Sequence, residues 1–187
     1  IHLTNSPLYQ YRVDNGYYPV IGQGNHEADI MAIGEAPGQQ EAKTGVPFCG
    51  AAGKLLDEVL AETSLSRENM YITNLIKDRP PSNRDPSQEE ITIYAPFLDR
   101  QIEIIAPQVI VGLGRFATEY LMKRYGDPQA ITGITRMRGH TYSLTIGERR
   151  LYLIPIFHPA AAIYDSSKRS TLVEDIQTAV QTLQSHT

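Results

Sequence analysis

Short apolar runs alternate with amphipathic segments along this chain. Four runs have the length and composition of buried strands, at residues 28–34, 71–74, 109–113 and 151–157. Four segments between and after them are typical of helices, at residues 52–62, 87–105, 115–125 and 171–183. Strands that alternate with helices predict an α/β fold, in which helices cover both faces of a parallel sheet.

Local signals refine that prediction. Ser87 and Glu90 form a capping-box pattern at the start of the second helix, and Pro96 is expected to interrupt and kink that helix. Residues 131–150 are polar and contain glycine, so a ribbon or a long loop is expected there. Because the 187 residues contain no internal repeat, low-complexity tract or linker, we expect one domain spanning residues 1–187.

Composition and charge are those of an ordinary soluble globular protein, with 41% apolar and 20% charged residues. The net charge of −4 does not indicate nucleic-acid binding, so any contact with DNA has to come from local clusters of cations. No apolar run is long enough to span a bilayer, and no secretory signal is visible. We therefore expect a cytoplasmic protein that contacts no membrane.

The chain has one cysteine, Cys49, which allows no internal disulfide and no site of four thiolates. Its position beside Phe48 and Gly50 suits a small buried side chain. The alternative is a nucleophilic thiol, and no histidine lies nearby in sequence to support it.

Three polar segments directly follow predicted strands, at residues 34–38, 73–84 and 157–160. The loops at the carboxyl ends of parallel strands meet at one edge of the sheet, where ligands bind in such folds. The segments supply a carboxylate, an amide and an imidazole, from Glu35, Asn74 and His158. Together these groups can hold a planar nucleobase and break its bond to a sugar.

A loop aromatic, Phe48, lies between glycines after the first segment, and Glu41 lies between that loop and Glu35. An aromatic ring beside a polar pocket can stack on a nucleobase, in a contact worth about 1–3 kcal/mol. The alternatives are that Phe48 is a core residue and that Glu35 is a solvated residue of a tight turn. The glycine patterns of dinucleotide and nucleotide-triphosphate sites are missing from the sequence, which argues against those ligands.

Asn74 ends an apolar strand, and a buried amide needs hydrogen-bond partners. Its acceptor and donors match the N3–H and O4 of uracil, whereas cytosine presents the reverse polarity. His158 precedes Pro159, which restricts its backbone, and a neutral imidazole there can donate to the O2 of a departing uracil anion. The alternatives are a turn or cap role for Asn74 and a structural role for His158.

Cations and prolines follow Asn74 in a stiff loop that contains Arg79, Asn83 and Arg84. Such a loop suits the phosphates of a nucleic-acid backbone, and the alternative is an ordinary solvated surface loop. No two histidines have the spacing of metal ligands, so we expect no metal site.

In their order and spacing these segments resemble the family 4 uracil-DNA glycosylases. The resemblance rests on residues 34–38, 45–50, 52–53, 71–74, 79–84 and 157–159, and it extends to residues 107–114 and 138–139. It implies a three-layer α/β/α sandwich with a central four-stranded parallel sheet, the fold of the uracil-DNA glycosylase superfamily. It also implies a hydrolase of base excision repair, which releases uracil from DNA and leaves an abasic site.

The resemblance implies roles for the residues around the base. Phe48 is similar to the ring that stacks on uracil, and Asn74 to the amide that reads its edge. Glu41 is similar to the carboxylate that disfavours the methyl group of thymine, and the backbone of Ala36 to the amide that meets a uracil carbonyl.

The resemblance also implies the catalytic pair. Glu35 is similar to the acid of the family's first motif, which either positions water or stabilises positive charge at C1′. His158 is similar to the donor to O2 of uracil. The candidates for DNA contacts are Arg79, Asn83, Arg84, Arg138, Lys168 and Arg169.

The expected partner is therefore uracil-containing DNA, single- or double-stranded, bound by a monomer. Residues 159–163 are smaller than is usual in the family, in a segment that probes the duplex; a weaker wedge there could shift preference toward single strands, and the choice between single and double strands stays open. Two alternatives stay open. One is the same fold acting on another deaminated base, such as hypoxanthine or xanthine, and the other is a non-catalytic relative that only binds DNA or a protein.

One departure from the family is large. Family 4 enzymes hold a four-iron, four-sulfur cluster with four cysteines, and the corresponding positions here are Leu3, Ser6, Asp78 and Tyr94. Thiolates are needed to hold such a cluster, and Cys49 is the one cysteine, so we expect no cofactor. We expect packing around Leu3 and Tyr94, with polar contacts from Asp78, to join the segments that the cluster would otherwise join.

Overall fold

A computed structural model describes residues 3–186 and contains a mixed sheet of six strands in the order β1-β3-β2-β4-β6-β5. The strands are β1 (Gln23–Gly24), β2 (Ile30–Gly34), β3 (Met70–Asn74), β4 (Val109–Leu113), β5 (Tyr142–Ile146) and β6 (Arg149–Ile156). The four central strands run parallel, and the two edge strands pair with them antiparallel. The predicted central sheet of four parallel strands is confirmed.

Helices surround this sheet. They are α1 (Tyr9–Asp14), α2 (Gln39–Thr44), α3 (Ala51–Leu60), α4 (Gln88–Ile105), α5 (Arg115–Tyr125), α6 (Ile134–Met137), α7 (Ala160–Tyr164) and α8 (Lys168–His186). Short 3₁₀ turns lie at Arg67–Asn69, Pro81–Asn83 and Pro128–Ala130. None of the helices in the described residues is long and apolar enough to cross a membrane.

Two apolar clusters lie on opposite faces of the sheet, because successive side chains of a strand point to opposite faces. In β2, Met31 and Ile33 pack into the cluster that contains residues of α4 and α5. Ile30 and Ala32 pack into the cluster that contains residues of α3 and α8. Each fully buried isoleucine contributes roughly 1.5–3 kcal/mol. This alternation produces the expected α/β/α sandwich.

The second predicted helix begins as its capping box requires. The backbone N–H of Glu90 donates to Ser87 Oγ (3.2 Å), and the Ser87 N–H donates to Glu90 Oε2 (2.8 Å). α4 continues through Pro96 over 18 residues, so the proline does not end the helix, and the expected kink there stays a prediction. Burial of Tyr94, Leu98 and other residues of one face holds the helix together across the missing backbone donor.

The polar region 131–150 contains a ribbon, as one of its two interpretations expected. Its strand β5 pairs antiparallel with β6, and Leu144 is fully buried within it. The last helix, α8, begins three residues before the predicted start at residue 171 and extends to His186. These additions lie at the edges of the sheet and leave the loops at its carboxyl end unchanged.

Candidate active site

The loops at the carboxyl ends of β2, β3 and β6 surround one pocket with a volume of about 510 Å³. Glu35 follows β2, Asn74 ends β3, and His158 follows β6, so the parallel strands deliver all three to the same edge. The structure brings them together with a fourth predicted residue, Phe48. The pocket is also lined by Ala36, Glu41, Asn83, Arg84, Asp85 and Ile163.

Gly34 allows the centre of this pocket to close. A Cβ atom at this position would clash with Asn74 Oδ1 and would lie 2.7 Å from Cζ of Phe48. Contacts this short force neighbouring atoms to move, so only glycine lets the amide and the ring approach the backbone of β2.

Asn74 is buried, with 1% of its surface exposed, and its Oδ1 atom has no hydrogen-bond partner in the described part of the protein. A buried amide oxygen without a partner costs about 1–3 kcal/mol. Native proteins rarely keep such a group unless a ligand or water completes it. The pocket therefore offers a fixed polar group to a molecule that enters it.

Phe48 combines both interpretations that its sequence position allowed. Its side chain packs into the apolar cluster against α3 and also lines the pocket. Its backbone adopts a left-handed conformation with φ of 49°, which is unusual for an aromatic residue. The Arg67 guanidinium donates to the Phe48 carbonyl and stabilises this conformation.

The imidazole of His158 lies stacked near the Phe48 ring, with 5.8 Å between centroids and 29° between planes. Burial lowers the pKa of His158 to about 4, although the nearby Glu41 carboxylate acts in the opposite direction. The ring is therefore neutral at pH 7. Because its Nδ1 accepts the N–H of Ala160 (3.2 Å), the ring proton resides on Nε2, which is left as a hydrogen-bond donor.

Glu35 has an unusual acidity. Its pKa is raised from 4.5 to about 7, chiefly by burial and also by the negative charge of Asp85, while the positive charge of Arg115 acts in the opposite direction. Arg115 also pairs with Asp85 (Nη2 to Oδ2, 3.1 Å). Neither residue was predicted from the sequence, because Arg115 lies 80 positions after Glu35 and no local pattern connects Asp85 with Glu35. A carboxyl that titrates near neutral pH in a pocket is typical of a functional group.

Glu41 is buried and also lines the pocket. Its Oε1 accepts the backbone N–H of Gly50 (2.7 Å), which is the N-cap residue of α3. A carboxylate is stabilised at a helix N-terminus by the free N–H groups and the helix dipole. The carboxylate position is therefore fixed next to the space that a bound ring would occupy.

The cationic loop after Asn74 reaches the pocket through Asn83 and Arg84. Arg84 donates two hydrogen bonds to the buried Glu90 (2.9 and 2.6 Å), and its side chain keeps 45% of its surface exposed. Arg79 donates to Asn83 Oδ1 (2.7 Å) and to the hydroxyl of Tyr17 (3.1 Å). No carboxylate of the described residues lies within ion-pair distance of Arg79.

The other three predicted DNA contacts lie outside the pocket lining. Arg138 is bound to the buried Asp175, with Nε to Oδ2 at 2.8 Å. Lys168 pairs with Asp165 (3.2 Å), and Arg169 pairs with Glu62. Each of these cations already has an acidic partner within the chain, and the partners of Arg138 and Arg169 are distant in sequence.

The positions that correspond to the cluster cysteines form a continuous chain of contacts. The Ser6 hydroxyl donates to the Tyr94 hydroxyl (2.7 Å), which in turn donates to Asp78 Oδ2 (2.6 Å). Leu3 packs against the neighbouring apolar cluster, and Arg12 lies 3.3 Å from the same Asp78 oxygen. Hydroxyls in mutual contact and one carboxylate do not fit an iron–sulfur cluster, which needs thiolate ligands and space between them.

Cys49 differs from its expectation. Its side chain is half-buried, not enclosed, and Sγ lies 3.3 Å from the Thr44 hydroxyl. Among the described residues, no group of three or more histidine, cysteine, aspartate or glutamate side chains is arranged to hold a metal ion.

Comparison with known proteins identifies relatives of this chain. A model of the uracil DNA glycosylase superfamily matches residues 21–184. A type-4 uracil-DNA glycosylase of Sulfurisphaera tokodaii is 45% identical over 171 residues, which cover 91% of this chain and 75% of that protein. One from Saccharolobus solfataricus is 46% identical over 167 residues, covering 89% and 76%. A type-5 uracil-DNA glycosylase of Thermus thermophilus is 33% identical, covering 58% and 56%.

Proposed function

The chain belongs to the uracil DNA glycosylase superfamily, and we propose that it hydrolyses the N-glycosidic bond of deoxyuridine in DNA. The reaction releases free uracil and leaves an abasic site for base excision repair. The observation that carries this proposal is the unpartnered, buried Oδ1 of Asn74, which faces the pocket beside an aromatic ring and a neutral imidazole. Uracil supplies the missing donor through its N3–H.

Recognition of the base uses the walls of the pocket. Phe48 stacks on the ring, and Asn74 accepts from N3–H and donates to O4. The backbone amide of Ala36 meets a uracil carbonyl. Glu41, fixed by the Gly50 N–H, occupies the space that the methyl group of thymine would need. The pocket takes only an extruded base, because a base inside the stack cannot reach it.

Bond cleavage separates charge, leaving a positive sugar and an anionic uracil. The neutral His158 donates a hydrogen bond from Nε2 to the developing negative charge on O2. This stabilisation does not require transfer of the imidazole proton to the base. Glu35 acts as a carboxylate near C1′, where it opposes the positive charge or orients the attacking water. Its pKa of about 7 places it in the ionised form above neutral pH.

DNA is the partner, in single- or double-stranded form, and one chain suffices because the pocket is complete within it. Arg79, which has no carboxylate partner among the described residues, is the strongest candidate for a phosphate contact. Asn83 and Arg84 lie at the pocket rim beside it. Further candidates for phosphate contacts are Arg138, Lys168 and Arg169. Each would bind a phosphate either in addition to its present carboxylate partner or in place of it.

The protein performs this chemistry without an iron–sulfur cluster. The contacts Ser6–Tyr94–Asp78 support this, because they join the N-terminal segment, α4 and the loop after β3 at the positions where the family has cysteines. Iron at background level in purified protein is the expected result. One cluster per chain would contradict the proposal.

Release of free uracil from a single-uracil oligonucleotide tests the function. Wild-type protein and His140→Ala, which removes an exposed histidine outside the pocket lining, should release uracil at similar single-turnover rates. His158→Ala should be slower by about 10²–10³-fold, as for loss of one donor to a developing anion. Equal rates for His158→Ala and wild type would refute the role of the imidazole, and no release by wild type would refute the function.

A further inference from the structure

Lys77 is a fully buried lysine that the proposed chemistry does not use. It follows Asn74 by three residues, and its Nζ donates to Thr73 Oγ1 (2.8 Å), the Asn74 carbonyl (2.6 Å) and Gln101 Oε1 (2.6 Å). No carboxylate of the described residues lies within ion-pair distance of it. Burial without an acidic partner disfavours the ammonium form and lowers the pKa of Lys77 to about 7, and its hydrogen bonds are what hold the group in place.

Lys77 Nζ is surrounded by three oxygen acceptors, and the two side chains among them donate their own protons to another group. The Thr73 hydroxyl donates to the Ile21 carbonyl (2.7 Å), and Gln101 Nε2 donates to the same carbonyl (2.8 Å). Both side chains therefore present an oxygen to Lys77. Three acceptors match the three N–H groups of an ammonium ion, which is the geometry expected for a fixed structural cation.

The bond from Lys77 to the Asn74 carbonyl completes the restraint of one peptide plane. The N–H of that peptide belongs to Leu75 and donates to the Gly34 carbonyl (2.8 Å). Its C=O is held by Lys77. With both ends bonded, the backbone of Asn74 is fixed relative to β2, and this sets the direction of its Cβ atom.

The side chain of Asn74 has no comparable restraint of its own. Its Oδ1 atom accepts no hydrogen bond from the described part of the protein, and this atom and the Phe48 ring both lie close to Gly34. Its position in the pocket is therefore set by the backbone behind it. A shift of about 1 Å at a substrate-positioning group can cost roughly 10²-fold in rate.

On these grounds we propose that Lys77 is a positioning residue, which acts through the Asn74 backbone to hold the base-reading amide in place and so determines selectivity for uracil. This inference rests on the proposed function, because it assigns Asn74 to uracil. Lys77 itself does not line the pocket.

A double-mutant cycle tests the proposal, with kcat/KM for uracil release as the readout. Lys77→Met keeps the length of the side chain and removes the charge and the donors. It should lower kcat/KM by about 10–100-fold in the wild-type background and by less than about 3-fold in the Asn74→Ala background. An equal loss in both backgrounds would overturn the proposal, because Lys77 would then act independently of Asn74.

Controls separate positioning from a general loss of structure. Lys54→Met removes an exposed lysine of α3 and should leave kcat/KM unchanged. If Lys77→Met does not fold, Gln101→Leu removes one acceptor and keeps the lysine, and it should show the same background dependence with a smaller factor. Equal factors for Gln101→Leu in both backgrounds would likewise overturn the proposal.

A spectroscopic readout tests the same point without catalysis. The side-chain amide resonance of Asn74, assigned by its loss in Asn74→Ala, should shift in Lys77→Met or Gln101→Leu and stay in place in Lys54→Met. An unchanged resonance would refute positioning by Lys77. If wild type released no uracil, the proposed function would fail, and this measurement would still decide the structural claim.

Discussion

Replacing Glu35 by glutamine should stabilise the protein at alkaline pH while it removes activity. Glu35 lines the pocket, and its pKa is raised from 4.5 to about 7, chiefly by burial. A carboxyl with a raised pKa favours the folded state when it is protonated. Its contribution is fully present below about pH 4.5 and is lost as the pH rises through about 7. Glutamine keeps the shape of the neutral acid and does not ionise.

The size of the effect follows from the displacement of the pKa. The difference between 4.5 and about 7 corresponds to about 3 kcal/mol at full ionisation. The carboxyl keeps some contact with solvent at the pocket, so a measured gain of about 2–3 kcal/mol is expected at pH 8.5. At pH 4.5 the gain should fall to less than about 0.5 kcal/mol.

Urea unfolding of wild type and Glu35→Gln at pH 4.5 and 8.5 measures this difference. Glu148→Gln is the matched control, since Glu148 is exposed in the turn between β5 and β6, and it should change stability equally at both pH values. Uracil release by Glu35→Gln should fall by orders of magnitude. A pH-independent gain, or a loss of stability at pH 8.5, would refute the assignment of Glu35 as a carboxyl with a raised pKa.

Three further predictions concern the pocket and the N-terminal contacts. The kcat/KM of wild type should rise with pH through about 7 as Glu35 ionises. In Asp85→Asn the rise should move to lower pH, because the charge of Asp85 raises the pKa of Glu35. An unchanged pH profile in this variant would contradict the prediction. Gly34→Ala should be folded, as measured by circular dichroism, and should release uracil at least about 10²-fold more slowly, because its Cβ displaces the side chains of Asn74 and Phe48. Near-normal release would show that these side chains adapt to the added methyl group. Tyr94→Phe should lower the free energy of unfolding by about 1–3 kcal/mol, because it leaves the buried Asp78 without its donor, and unchanged stability would argue against the contact.

The parts of the fold that the sequence predicted are those with a strong local signal. The four central strands are built on short, mostly apolar runs, and Ser87 with Glu90 marks the start of α4. The edge strand β1 has two exposed residues and no apolar pattern, so the sequence did not predict it. Pro96 does not end α4, since burial of one face of the helix outweighs the loss of one backbone bond.

The residues of the candidate site also form two groups, those with a local sequence signal and those without one. Glu35, Asn74 and His158 were predictable because each directly follows a strand, and parallel strands bring their carboxyl ends together. The influence of Asp85 and Arg115 on Glu35 depends on side-chain contacts between distant segments, which periodicity does not report. The bond between Arg138 and Asp175 is of the same kind.

The most direct test of the account is identification of the base released from a panel of oligonucleotides, each with one lesion. The panel contains uracil, thymine, cytosine, hypoxanthine and xanthine at the same position, and mass spectrometry identifies the product. The pocket geometry predicts rapid release of uracil and little or no release of the other four. Release of hypoxanthine or xanthine at the rate of uracil, or no release of uracil, would contradict the claim that Asn74, Glu41 and Phe48 form a uracil-specific pocket.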